Sequence, residues 1–535
     1  MRAHPHAVRA VFLLMGFYLL GTALLTACAV ATYVLFLWAP VISSIPLILA
    51  VPVLRGLFVL RVPTGTRPGL PLTEAEEPRL WHTVRELAER VGTDPPSEIV
   101  LTADPGASVT EDARFLLPVP GTRRLHLGLP LLLGLDEAQV RAVLAHELGH
   151  YAHHDTRLVS LTVRGRTQVL RTIQHSESFA HWRRKKAVDG HLRKAAKAAA
   201  RGRTRKRRKH LRRVVLLRRY SGTSLRMLIR LYTAYGNHYL RSTLALSRRQ
   251  EYAADRAAAR ITGRAATVSA LREVPVLETA HEQYLRGYAL MGVEAGLLPP
   301  HGEVFGGFGA LLAARAPELA ALRTGPPRSA PSPYDSHPPV ADRIDRIREL
   351  PADAPGDEDA RPATALLSDP GRTARALEDV ALAADLRGLP RAAGWPELLH
   401  HTMEHGARRS TSALRRALAA HTGGPATSTA LLAVIDAGGL DALAERLPVP
   451  AGEAPDPRGA AYGALHDMFL AELTERNLVR WEFSWQRAAR PLLVHPVAGS
   501  DDGAAALASA VTAAVARPPD TAPLRLLLAH AAAGR

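Results

Sequence analysis

His146-Glu147-Leu148-Gly149-His150 places two imidazoles four residues apart, with a carboxylate directly after the first. On a helix such positions share one face, so both rings can reach one metal ion while Glu147 stands beside its open coordination position. That is the donor pattern of a zinc hydrolase. Five residues can recur by chance, so the surroundings decide. Upstream, Asp136 followed three residues later by Gln139 is a helix-start signal, and Val140, Val143, Leu144 and Leu148 recur at helical spacing. The stretch is therefore expected on an amphipathic helix, and one zinc ion per chain is the expected cofactor.

Two His leave a tetrahedral site one protein ligand short. The extended metzincin pattern would put Gly three and His six residues past the second ligand, where this chain has His153 and Thr156, so that class is excluded. A Glu from a later helix is the other common solution. The run from Ser247 to Asp255 offers Glu251 and Asp255 one turn apart, and Glu251 is taken as the ligand, with Asp255 the next candidate.

At this point the chain resembles the membrane-bound zinc metallopeptidases that include the HtpX heat-shock protease and the CAAX prenyl endopeptidase, gluzincins in which HExxH is completed by a Glu. Three motifs carry the resemblance: the HELGH stretch, the run Arg248-x-x-Glu251-Tyr252-x-Ala254-Asp255, and His337-Pro338-Pro339 followed by Arg343-Ile344. It implies a zincin-like domain, Glu251 as third ligand, Asp255 as its supporting neighbour, and His337 with Arg343 as catalytic groups near the reacting carbonyl. One departure is visible. Where the family has an Asn-Ala pair after the first core strand, this chain reads Asp104-Pro105-Gly106-Ala107-Ser108.

The net charge of +18 would suggest nucleic acid were it spread over the surface. Between Arg183 and Arg219 there are eighteen Lys or Arg against the single acid Asp189, so this insertion carries +17 of the total. No aromatic stands between Trp182 and Tyr220 to stack on bases. A solvated run, or docking on anionic lipid through residues 183–219, is expected ahead of nucleic-acid binding. Cys28 is the only cysteine, which excludes an intrachain disulfide and argues against cysteine ligation of the metal.

From Ala10 to Leu54 there are 45 positions without a charge or a His. A bilayer-spanning helix needs about 20, so a hairpin of two spans is expected, roughly Ala10 to Trp38 and Val41 to Leu60. Arg2 and Arg9 precede it and Arg55, Arg61 and Arg67 follow. The positive-inside bias then puts both ends and the catalytic domain in the cytoplasm, at the cell's inner membrane. Leu25-Thr26-Ala27-Cys28 also resembles a lipoprotein cleavage box, but the ten residues after it stay apolar. Arg164, Arg166, Arg171, Arg218, Arg219, Arg226, Arg230 and Arg241 exclude two further cheap spans between the motifs. Leu225, Leu228, Leu231, Tyr232 and Tyr235 are expected on the membrane surface or on the catalytic core.

The fold class expected is α+β, mostly helical. It comprises a transmembrane hairpin (1–70), a metallopeptidase domain (71–350) with the basic insertion 183–219, a linker (351–363), and an Ala-rich helical region of unassigned role (364–535). Thr73 and Glu76 suggest a capping box for a helix reaching Val91. Glu98 to Leu101 and Arg123 to Leu129 read as strands, the latter the candidate edge for holding substrate. His400, His401, Glu404 and His405 bring no motif, and a solvated face is the expectation there. The function expected is a membrane-anchored zinc endopeptidase whose partners are a protein or peptide substrate, including membrane proteins, and the bilayer. The competing readings are a catalytically silent membrane scaffold and an intramembrane protease. Glu137, Arg141 and His153-His154-Asp155 around the motif argue against the latter.

Overall fold

The computed structural model describes residues 5–40, 68–111, 122–152, 156–201, 223–324, 337–351, 360–447, 457–476, 478–493 and 503–533, with scattered positions between 43 and 54 and between 203 and 212. Among these it is mostly helical with a small sheet. Four strands, β1 (Gly69–Leu72), β2 (Glu98–Thr102), β3 (Ala107–Glu111) and β4 (Arg123–Gly128), pair in the order β1-β2-β4-β3. β2 and β4 run parallel, with Ile99 opposite Leu125 and Leu101 opposite Leu127, and both outer pairings are antiparallel. The sheet turns those four apolar side chains into the first core.

β4 is thus bonded on both sides. The expectation that Arg123 to Leu129 forms a substrate-accepting edge is overturned, because its main-chain groups are already used by β2 and β3. The edge among the described residues that lies against the HELGH helix is β3.

Helix α1 (Pro5–Trp38) precedes the sheet, α2 (Pro78–Val91) follows β1, and α3 (Leu129–Gly134) follows β4. Thr73 and Glu76 do bond reciprocally, but they close a turn. The helix itself starts at Pro78, with Glu77 as its N-cap residue. α4 (Glu137–Ala152) carries the HELGH stretch. Its start is fixed by Gln139 N donating to Asp136 Oδ1 at 2.7 Å and Asp136 N donating to Gln139 Oε1 at 2.9 Å. Val140, Leu144 and Leu148 are buried at helical spacing, which orients its other face toward the site. α5 (Thr156–Ala200), α6 (Thr223–Thr262) and α7 (Arg264–Tyr284) follow, then α8 (Val340–Arg348).

Residues after 350 also enter the first core, among them Ala363, Leu366, Leu377 and Leu382. They brace the start of α4: Glu137 N donates to Arg361 O at 2.8 Å and Ala363 N to Leu135 O at 3.0 Å. A second core lies entirely in the later chain, built by Leu414, Leu418, Leu431, Ile435, Leu465, Phe469, Val511 and Leu524. A third cluster joins Leu14 and Phe17 of α1 to Val169 and Ile173 of α5 and to Tyr232, Tyr239 and Leu240 of α6. Tyr232 and Tyr235 therefore pack on α1, not on the catalytic core, while Leu231 is exposed.

Residues Phe12–Trp38 of α1 form a helix long and apolar enough to cross a membrane, with a mean hydropathy of 2.0. Phe12, Leu19, Tyr33, Phe36 and Trp38 along it are exposed. The second expected span, Val41 to Leu60, lies largely outside the described residues.

Candidate metal centre

Three helices converge on one point. α4 brings His146, Glu147 and His150, α6 brings Glu251 and Asp255, and α8 with the two prolines before it brings Arg343 and His337. α4 and α6 approach unusually closely, since a Cβ placed on Gly149 would lie 3.3 Å from Ala254 Cα. Small residues on both helices allow this, and it sets the histidines against the carboxylate.

Donor atoms of His146, His150 and Glu251 all lie within 4.8 Å of one another, the span expected of groups that can share one ion. His146 Nε2 is 3.6 Å from Glu251 Oε2, and His150 Nε2 is 3.8 Å from Glu251 Oε1. Among the described residues no other trio of His, Cys or acidic groups gathers this way, the cluster around His400 included.

Behind these groups stands a supporting layer. His146 Nδ1 lies 3.0 Å from Asp255 Oδ1, which turns its Nε2 toward the centre. Arg343 grips Asp255 with both arms, Nη2 at 2.6 Å from Oδ1 and Nε at 2.8 Å from Oδ2, and is only 3.8 Å from Glu251. Arg343 is therefore the partner of Asp255 first. His337 Nδ1 lies 2.8 Å from Glu251 Oε2, with its own side chain largely exposed toward solvent. All seven residues singled out from the sequence are thus brought together.

The electrostatics suit a cation. Three acids, Glu147, Glu251 and Asp255, share this space. Burial opposes protonation of His146, but hydrogen bonds to Asp255 and Glu251 outweigh it and push its pKa up to about 9. Burial, with the charge of His146 added, pushes His150 down to about 4. Glu251 is held well below the usual carboxylate range, since contacts with His146 and His337 overcome the cost of its burial. For Asp255, too, burial is overcome, here by Arg343 and His146. Burial raises Glu147, making it the most basic carboxylate of the group. One proton on His146 thus supplies the positive charge the acids require, at the position where a bound cation would supply it. Glu251 Oε2 is buried and faced by His337, His146 and Arg343, so cationic groups surround the oxygen that points into the centre. The donor set fits a zinc-like ion.

Sequence reasoning passed over two features here. One is Gly149, whose signal was the pairing of small residues between two motifs. The other is a stacked contact of Arg346 on Tyr252, which no linear pattern announces.

Comparison with known proteins agrees with this geometry. The profile described as Peptidase family M48 matches residues 74–351, more than half of the chain. A Protease HtpX homolog of Acidiphilium cryptum is 34% identical over 97 residues, covering 17% of this chain and 30% of that protein. A Protease HtpX homolog of Tropheryma whipplei is 29% identical over 90 residues, covering 17% and 29%. The chain spans under a third of the length of these curated relatives. No solved structure gives a significant match.

Proposed function

The chain belongs to peptidase family M48, and on that premise we propose that it is a membrane-anchored zinc endopeptidase with its catalytic domain in the cytoplasm. The observation that carries this reading is the convergence of His146, His150 and Glu251 within 4.8 Å, with Glu147 beside them. His146, His150 and Glu251 would hold the ion, which supplies Lewis acidity toward water and the scissile carbonyl.

The chain's own residues do the rest. Glu147, raised in basicity by burial, takes a proton from the attacking water and returns it to the leaving amine. His337 stands on the exposed side of Glu251, where its ring can donate to the oxyanion that develops on the carbonyl. Asp255 fixes the ring of His146, and Arg343 fixes Asp255. An extended substrate adding to β3, the outer strand of the described sheet beside α4, would run along that helix, a role for which β4, paired on both sides, has no main-chain groups left.

Membrane anchoring rests on α1, and the cytoplasmic orientation on the basic residues flanking the apolar run. The borders drawn at 70, 350 and 363 belong to this reading, with residues 363–382 contributing to the catalytic unit through the first core. The test is hydrolysis of an unfolded protein by the detergent-purified full chain. A chelator should abolish cleavage and zinc should restore it. Cleavage indifferent to chelation would refute the zinc reading, and a zinc-loaded chain that only binds protein would favour the silent scaffold.

A further inference from the structure

Three residues along α8 from Arg343, Arg346 lays its guanidinium on the ring of Tyr252, 3.7 Å from the centroid. Tyr252 directly follows Glu251, and Asp255, held by Arg343, is three residues further on. Two side chains three apart on α8 therefore meet two side chains three apart on α6, in reverse order: Arg343 on Asp255 and Arg346 on Tyr252. Residues three apart share a helix face, so these are two parallel rungs between antiparallel helices. We propose that the Arg346–Tyr252 contact is a positioning element that fixes the tilt of α8 and thereby the place of His337 over Glu251. The proposal rests on the function proposed above for its catalytic meaning, but its geometry does not.

One bidentate contact fixes a point on α8 and leaves the helix free to swing about it. The second rung removes that swing. Arg346 lies three residues from the pivot on one side, about 4.5 Å of helix, and His337 lies six residues away on the other. A shift at Arg346 is thus enlarged at His337, whose arm adds three extended residues of about 3 Å each to the three helical ones. Errors of about 1 Å in a reacting group can cost ~100-fold in rate. Pro338 and Pro339 make the link to His337 stiff, so the displacement is transmitted. α8 has further anchors, to which the second rung adds a side-chain contact close to the Asp255 pivot. Ile344 and Ile347 are buried apolar contacts, and Arg264 Nη1 reaches the carbonyls of Arg348 and Leu350 at the far end.

The experiment uses the full chain in detergent and the variants Arg346→Gln, Tyr252→Leu, Tyr252→Phe and the double Arg346→Gln/Tyr252→Leu. Two readouts are taken: kcat and KM on a peptide, and the rate at which the His337 imidazole reacts with diethyl pyrocarbonate, followed by mass spectrometry. Either single loss should lower kcat about 10-fold with KM nearly unchanged, in line with misplacement of one reacting group. It should also change His337 reactivity several-fold. The double variant should be no worse than either single, and Tyr252→Phe, which keeps the ring face, should behave as wild type. Unchanged His337 reactivity in both single variants would overturn the proposal whether or not the chain hydrolyses peptides. Additive losses, or a Tyr252→Phe as damaged as Tyr252→Leu, would also overturn it. A wild-type chain without hydrolysis would count against the function alone.

Discussion

The two large cores of this molecule differ in what they bury. The first holds Glu77, Glu137, Arg141, Glu251, Asp255, Glu273, His281, Arg343 and Glu378 at low exposure. Beyond Glu378, the buried polar residues among those described are the hydroxyls Thr411, Ser428, Thr474 and Thr521, with no acid or base. Burying an ionised group costs several kcal/mol unless partners compensate. A chain gains nothing in stability from such groups that apolar packing would not supply. Some of them brace the fold: Glu77 accepts from Ser368 N and Thr373 Oγ1, and Glu378 from Gly302 N and Val304 N. Others are paired away from the centre, Glu137 with Arg361, Arg141 with Glu86 and Glu273 with Arg323, whereas Glu251, Asp255 and Arg343 gather at one point, the candidate site. The second core is apolar bulk joined to the first through aromatic packing, as where Phe483 meets the rings of Trp395 and Trp485 at centroid distances of 5.6 and 4.9 Å.

The sharpest way to break this contrast is to remove a charge at the centre. Glu147→Gln is expected to lower kcat by about 10³-fold with zinc content unchanged, because it removes a general base without touching a ligand. Next comes Asp255→Asn, which takes the charge and one of two acceptor oxygens from the group that Arg343 and His146 share. It should weaken zinc binding roughly 10- to 100-fold, measured by competition with a chromophoric chelator. An unaltered affinity would mean that the buried acid serves the fold alone. Gly149→Ala should separate α4 from α6 by a few tenths of an ångström. Overpacking of this sort costs about 1–3 kcal/mol, visible as a lowered Tm together with a several-fold loss of activity. The smallest effect on catalysis is expected from Phe469→Ala in the second core. It should cost about 3–5 kcal/mol of that core's stability and leave zinc content and kcat intact.

Local signals were readable in the sequence. Asp136 and Gln139 cap α4 as their spacing requires. The one-turn spacing of Glu251 and Asp255 puts both carboxylates on one face of α6, as the spacing of the two histidines does on α4. What escaped was neighbourhood. Alternation in Arg123 to Leu129 announces a strand but not how many partners it has, so a central strand reads as an edge. β1 is four residues with Pro71 inside it, too short and too irregular for any period to register. Thr73 and Glu76 satisfy a capping pattern that the chain uses for a turn, because Pro78 is the better first helical residue. The second core is built from Ala-rich helices whose contacts are remote in sequence, and the entry of Ala363 to Leu382 into the first core is likewise a long-range event.

The central claim, that one metal ion sits between α4 and α6 with Glu251 as its third protein ligand, is tested most directly by the zinc content of the purified full chain. About one zinc per chain is expected in the wild type and in Glu147→Gln, and a small fraction of that in Glu251→Ala after dialysis. Full zinc retained by Glu251→Ala would contradict the account.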